Sequence, residues 1–132
     1  MRLPSLAIVA LIALPAHGAE EPYGWAFCTD PANGLSLNTC TAHVRADCDG
    51  AADQSACLVK HYDAWFRYDA NATLADAVDD ESHKGRLSLK GLRDAVGRVT
   101  PQNGRCADTD VGCLLDDSIK RALGNYALRQ AK

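Results

Sequence analysis

Six cysteines in 132 residues constrain this chain more than any other feature, because of what precedes them. Arg2 provides a short positive region, residues 6–14 (LAIVALIAL) an unbroken apolar run, and Pro15 a break before the small residues Ala16, Gly18 and Ala19. This is the three-part layout of an export signal. Nine apolar residues fall well short of the roughly 20 that a helix needs to cross a bilayer. The sequence therefore predicts a signal peptide over residues 1–19, one domain over residues 20–132, and a secreted or periplasmic location. Cys28, Cys40, Cys48, Cys57, Cys106 and Cys113 all fall in that domain. An even count in an oxidising compartment predicts three disulfides. Six cysteines allow fifteen connectivities, and cysteine number alone chooses none. Zinc usually asks for a Cys-x-x-Cys pair or a tight Cys/His cluster, and the closest pair here is Cys106 and Cys113.

Hydrophobic residues make up 47% of the chain and charged residues 23%, a composition that folds. The net charge of −3 argues against general nucleic-acid binding, which needs clustered Lys and Arg. Charge is unevenly placed. Residues 20–81 hold twelve acids against three bases, and residues 82–132 hold five acids against ten bases. The simpler explanation is two halves packed as oppositely charged layers. The functional one is an acidic face that meets a basic partner. Beyond the export signal, no stretch is apolar enough to cross a membrane.

Residues 20–39 are rich in Pro, Gly and Asn and read as an irregular arm tied down by Cys28. Residues 39–48 suggest a short helix, and Asp49-Gly50 a turn. The longest helix is predicted to begin near Asp53 or Ser55 and to run to about Val78, with Leu58, Tyr62, Trp65 and Ala72 on one face and an irregularity near Asn71. Residues 79–85 are polar and read as a loop. Ser88 caps a second helix whose Leu89, Leu92, Val96 and Val99 share a stripe, and Thr100-Pro101 stops it. Asn103-Gly104 makes a turn. The last helix starts near Asp110, with Leu115, Ile119, Ala122 and Tyr126 facing inward. The fold class is all-α: a small disulfide-stapled helical bundle with an irregular N-terminal arm.

Two segments invite a catalytic or metal reading. In Cys57-Leu58-Val59-Lys60-His61-Tyr62-Asp63, a helical Cys followed by His and Asp suggests the secreted calcium-dependent phospholipases. Those enzymes need adjacent His and Asp, whereas Tyr62 sets His61 and Asp63 roughly 200° apart on a helix. Their glycine-rich calcium loop is also missing around Gly24. Residues 80–91 (DESHKGRLSLKG) have the outline of an EF-hand loop, with Asp80 at position 1 and Gly85 at position 6. Position 5 is the cation Lys84, and position 12, which should be a bidentate Glu, is Gly91. Turn chemistry and capping account for Asp47, Asp49 and Asp53. Trp65 and Phe66 point about 100° apart, so both cannot face the core centre; core packing is the simpler role for Trp65.

The spacing Cys28-x11-Cys40-x7-Cys48-x8-Cys57-x7-Trp65 resembles the front half of the LprI-like lysozyme-inhibitor family of small secreted bacterial proteins. The segment from Cys113 to Leu123 (CLLDDSIKRAL) resembles that family's last helix. Asp69-Ala70 and Thr73 stand where the family usually has Leu-Asn and then Tyr, and His61 stands where it has an acid. The resemblance implies lysozyme inhibition by analogy. In that setting the spacing suggests local bridges across inter-helix loops: Cys28–Cys40, Cys48–Cys57 and Cys106–Cys113.

The sequence thus predicts a protein-binding domain of the envelope or extracellular space, with no catalytic centre, metal or cofactor and no nucleic-acid partner. The expected partner is a protein, a basic lysozyme among the candidates, steered by the acidic half. Asp63, Trp65, Asp69, Asp79, Asp80 and Glu81 are the predicted binding residues. A divergent calcium-dependent phospholipase using His61 and Asp63, and a degenerate EF-hand-like module, are the alternatives.

Overall fold

Side-chain caps set where the helices begin. The computed structural model describes residues 20–33, 36–85, 88–102 and 104–132. The predicted signal peptide lies outside the described residues, as do Asn103 of the predicted turn and Arg86 and Leu87 of the EF-hand outline. The described helices are α1 (Trp25–Thr29), α2 (Leu37–Ala46), α3 (Gln54–His83), α4 (Leu89–Val99) and α5 (Val111–Gln130), with a 3-10 turn at Pro31–Asn33. No strand occurs among the described residues. Ser36, Asp53, Ser88 and Asp110 precede α2 to α5. Each accepts a backbone N–H from three residues on, at 3.4, 3.0, 3.3 and 3.1 Å. Each thereby satisfies one of the donors that a helix start leaves unpaired.

Helix α3 organises the rest. At thirty residues it is about 45 Å long. Its buried residues are His61, Trp65, Asp69, Thr73, Ala77 and Glu81, spaced strictly by four. Four residues turn a helix by about 400°, so this ridge drifts roughly 40° per step. The drift lets one helix serve two neighbours, with α5 along much of its length and α4 as the second. The core gathers Trp25, Cys28, Cys40, Val44, Trp65, Leu115, Ile119 and Ala122. Trp25 packs on Tyr68 at 4.6 Å, on Trp65 at 5.6 Å and edge-on to Tyr126 at 5.2 Å between ring centres. The arm predicted to be irregular therefore carries a short helix and a central core residue.

All six cysteines are bridged, as Cys28–Cys40, Cys48–Cys57 and Cys106–Cys113. Each bridge spans a helix junction, with Cα separations of 5.1, 5.7 and 5.7 Å. This is the local pairing that the spacing suggested.

Three expectations need correction. Helix α3 runs unbroken past Asn71 to His83, so residues 79–83 are helical and not a loop. Ion pairs one turn apart, Asp79 with His83 and Asp80 with Lys84, support this last stretch. With Asp80 and Ser82 inside a helix, the EF-hand outline does not form as a loop. On α4, Ala95 and Val99 are buried, while Leu89 and Val96 lie exposed. The predicted stripe is rotated away from the side of α4 that meets α3, so its Leu89 and Val96 edge faces outward; Leu92, Ala95 and Val99 form the inner edge.

Candidate functional site

Trp65 fixes the orientation of α3. Its ring is fully buried, and Nε1 donates to the Tyr23 carbonyl at 3.1 Å. His61, one turn earlier, shares that inward side and reaches the corner between α2 and α3. There its Nε2 lies 2.8 Å from Asp47 Oδ2. Rings build outward from this pair. Tyr23 meets His61 with centres 5.4 Å apart, lies parallel to His43 at 5.4 Å, and Phe27 stacks on His43 at 4.0 Å. Tyr23 remains 45% exposed at the surface. Asp47, Asp49 and Asp53 are exposed beside the Cys48–Cys57 bridge in the same corner. The result is a rigid aromatic surface with an acidic margin.

The sulfurs of Cys48 and Cys57 and a ring nitrogen of His61 lie within 4.8 Å of one another. Both sulfurs are committed to the disulfide. The group therefore offers a cation one imidazole and no thiolate, and thiolates are what such a site would need.

The six predicted binding residues separate into two sets. Trp65 is core. Asp69 is buried between α3 and α5. Its carboxylate accepts from Asn125 Nδ2 and from the Thr73 hydroxyl, and Arg129 donates to that hydroxyl at 3.1 Å. Burial pushes the Asp69 carboxyl above its usual range, against the opposing pull of these donors and of Arg129 and Arg121. Glu81 is buried at the start of α4, where it accepts from the Ser88 N–H at 3.2 Å. Its carboxylate fills the space that a side chain at position 91 would need, so a Cβ there would displace it. A partner on the surface meets only Asp63, Asp79 and Asp80. Asp63 pairs with Arg67 at 3.1 Å, and Asp80 lies 3.3 Å from Lys132. Asp63 and Asp79 are about 24 Å apart along α3 and on nearly opposite sides of it, so the exposed acids of this set form no single patch.

The structure does not bring His61 and Asp63 to one site: His61 turns in to Asp47, while Asp63 turns out to Arg67. Ion pairs of both polarities join the two halves. Arg45 grips Asp116 of α5 with two hydrogen bonds, at 2.6 and 2.9 Å, and this pairing raises the Arg45 pKa. Lys132 reaches Asp76 of α3 at 2.6 Å.

Reading the sequence alone missed Tyr23, Phe27 and His43. The available signal was an aromatic pair around Cys28, close in sequence to the bridge that would bring it against His43.

Comparison with family models, with curated proteins and with solved structures finds no match to this chain. The fold itself defines a class: an all-helical domain stapled by three local disulfides, of the kind an oxidising compartment sustains. None of the described helices is long and apolar enough to cross a membrane.

Proposed function

We propose that this is a secreted or periplasmic protein-binding domain that docks a basic partner, with lysozyme inhibition as its specific activity. One observation carries the reading. Tyr23 stands exposed on a pre-stacked column of rings, with Asp47 held beside it by His61 and the exposed Asp49 and Asp53 on the same turn between α2 and α3, in a half of the chain where acids outnumber bases. Rigid aromatic anchors with a polar rim are what protein interfaces use, because little side-chain freedom is lost on binding. The acidic margin supplies attraction for a positively charged enzyme. The partial resemblance to lysozyme inhibitors supports the same partner. Surface-immobilised protein exposed to a basic lysozyme tests this. Association should slow as ionic strength rises from about 20 to 200 mM, the range over which exposed charges become screened. No association at low salt contradicts the proposal.

A further inference from the structure

Helices α4 and α5 line a cleft of about 800 Å³ that no part of the proposal above uses. Its walls carry five cations, Arg93, Arg98, Arg105, Lys120 and Arg121, against the carboxylates of Asp94 and Asp117. Both carboxylates are already engaged. Asp117 pairs with Arg121 and lies 3.9 Å from Arg105, and Asp94 is held by Lys90 at 3.3 Å. Among the described residues, no carboxylate lies within ion-pair distance of Arg93, Arg98 or Lys120. A chain with a net charge of −3 thus concentrates a local excess of +3 in one concave place.

Two glycines keep that place open. Gly97 of α4 and Gly124 of α5 both line the cleft, and a Cβ on either would meet no atom within 4 Å. Neither has a positive φ. Glycine inside a helix is disfavoured relative to alanine, and here neither packing nor backbone conformation requires it. At the base, Asn125 is buried, with its amide committed to Asp69 and to the Arg98 carbonyl, so the floor is fixed.

We infer that this cleft binds a small polyanion carrying two linked phosphate groups. A single phosphate brings about −1.5 to −2, whereas a diphosphate of about −3 matches the excess. Guanidinium forks suit phosphate oxygens, and cations from both walls can share one ligand. The volume falls within the roughly 300–1,000 Å³ of small-ligand sites. The site is independent of the Tyr23 surface, so either can fail without the other.

Calorimetric titration of inorganic pyrophosphate into the oxidised protein at low salt tests the inference, with sulfate as control. The expected result is micromolar binding of pyrophosphate and at least tenfold weaker binding of sulfate. Arg98→Gln with Lys120→Gln should weaken pyrophosphate at least tenfold. Gly97→Ala with Gly124→Ala should weaken it similarly while leaving Tm unchanged or higher, which separates a narrowed cleft from a damaged fold. Vesicles doped with a lipid headed by a diphosphate, competed with free pyrophosphate, assign the source: recruitment points to a lipid headgroup, and its absence beside tight pyrophosphate binding points to a soluble diphosphate. Equal affinity for sulfate, or pyrophosphate binding unmoved by both pairs of substitutions, overturns the inference. So does recruitment to vesicles of a monophosphate lipid without any pyrophosphate binding.

Discussion

Asn125 Nδ2 donates to both oxygens of the Asp69 carboxylate, at 3.0 and 3.2 Å, across the buried contact between α5 and α3. The same nitrogen donates to the Arg98 carbonyl at 3.1 Å, so one amide joins three helices. Asn125→Ala leaves a buried carboxylate with the Thr73 hydroxyl as its remaining donor among the described residues. The expected cost is about 2–4 kcal/mol, since truncating one partner of a buried charged group exposes its full desolvation penalty. Urea unfolding of the two proteins measures it. A change below about 0.5 kcal/mol would show that the amide does not hold the helices together.

The pH dependence of Asp69 follows from its burial. Its folded pKa is raised above the ordinary 3.8, mainly by desolvation. The folded state therefore holds this proton more tightly than the unfolded chain does. The group's contribution to stability is full below its unfolded pKa and is lost as pH rises through the folded one. Asp69→Asn removes the titration. The stability of the parent relative to that variant should increase as pH falls from about 7 to 4. A constant difference across that range, read from unfolding curves, would contradict the assignment.

The three disulfides close loops of similar length, with sequence separations of 12, 9 and 7. Chain entropy alone assigns each about 2.5 kcal/mol. Cys28 and Cys40 also belong to the core cluster, whereas Cys106 and Cys113 are only half-buried. Replacing both residues of a pair with Ala should therefore cost more for Cys28–Cys40 than for Cys106–Cys113, by at least about 1 kcal/mol. Equal losses in thermal unfolding would mean that the first bridge adds no packing.

Gly24 begins α1 with φ of +87°, and a Cβ there would approach Val44 Cγ2 to 2.8 Å. Gly24→Ala should destabilise by about 1–3 kcal/mol through backbone strain and the displaced valine. It should also loosen the Tyr23 carbonyl that accepts from Trp65, visible as a shift of the Trp65 indole N–H resonance. A variant with unchanged stability and an unchanged resonance would contradict this account of the arm.

Helix starts were legible wherever a capping side chain announced them, as at Asp53, Ser88 and Asp110. The stripe on α5 was legible because Leu115, Ile119 and Ala122 are apolar at helical spacing. The buried ridge of α3 was not, because four of its six residues are polar: Thr73 bonds Asp69 within the helix, and His61, Asp69 and Glu81 read as surface until their partners Asp47, Asn125 and Ser88 are placed beside them. Those partners lie up to 56 residues away, beyond the reach of local periodicity. The end of α3 was hidden for a related reason. Residues 79–83 are polar enough to suggest a loop, yet ion pairs along the helix and the burial of Glu81 against α4 hold them helical. The Tyr23 surface depends on rings brought together by a disulfide and a long-range hydrogen bond.

The most direct measurement is residual activity of a basic lysozyme titrated with the oxidised protein, the Tyr23→Ala variant and the Asp79→Lys variant. The proposal predicts dose-dependent inhibition at micromolar or lower concentration by the parent and by Asp79→Lys, a loss of at least about tenfold in potency for Tyr23→Ala, and no inhibition after reduction of the disulfides. Full lysozyme activity at every concentration of the parent, or inhibition that Tyr23→Ala leaves intact, would contradict it.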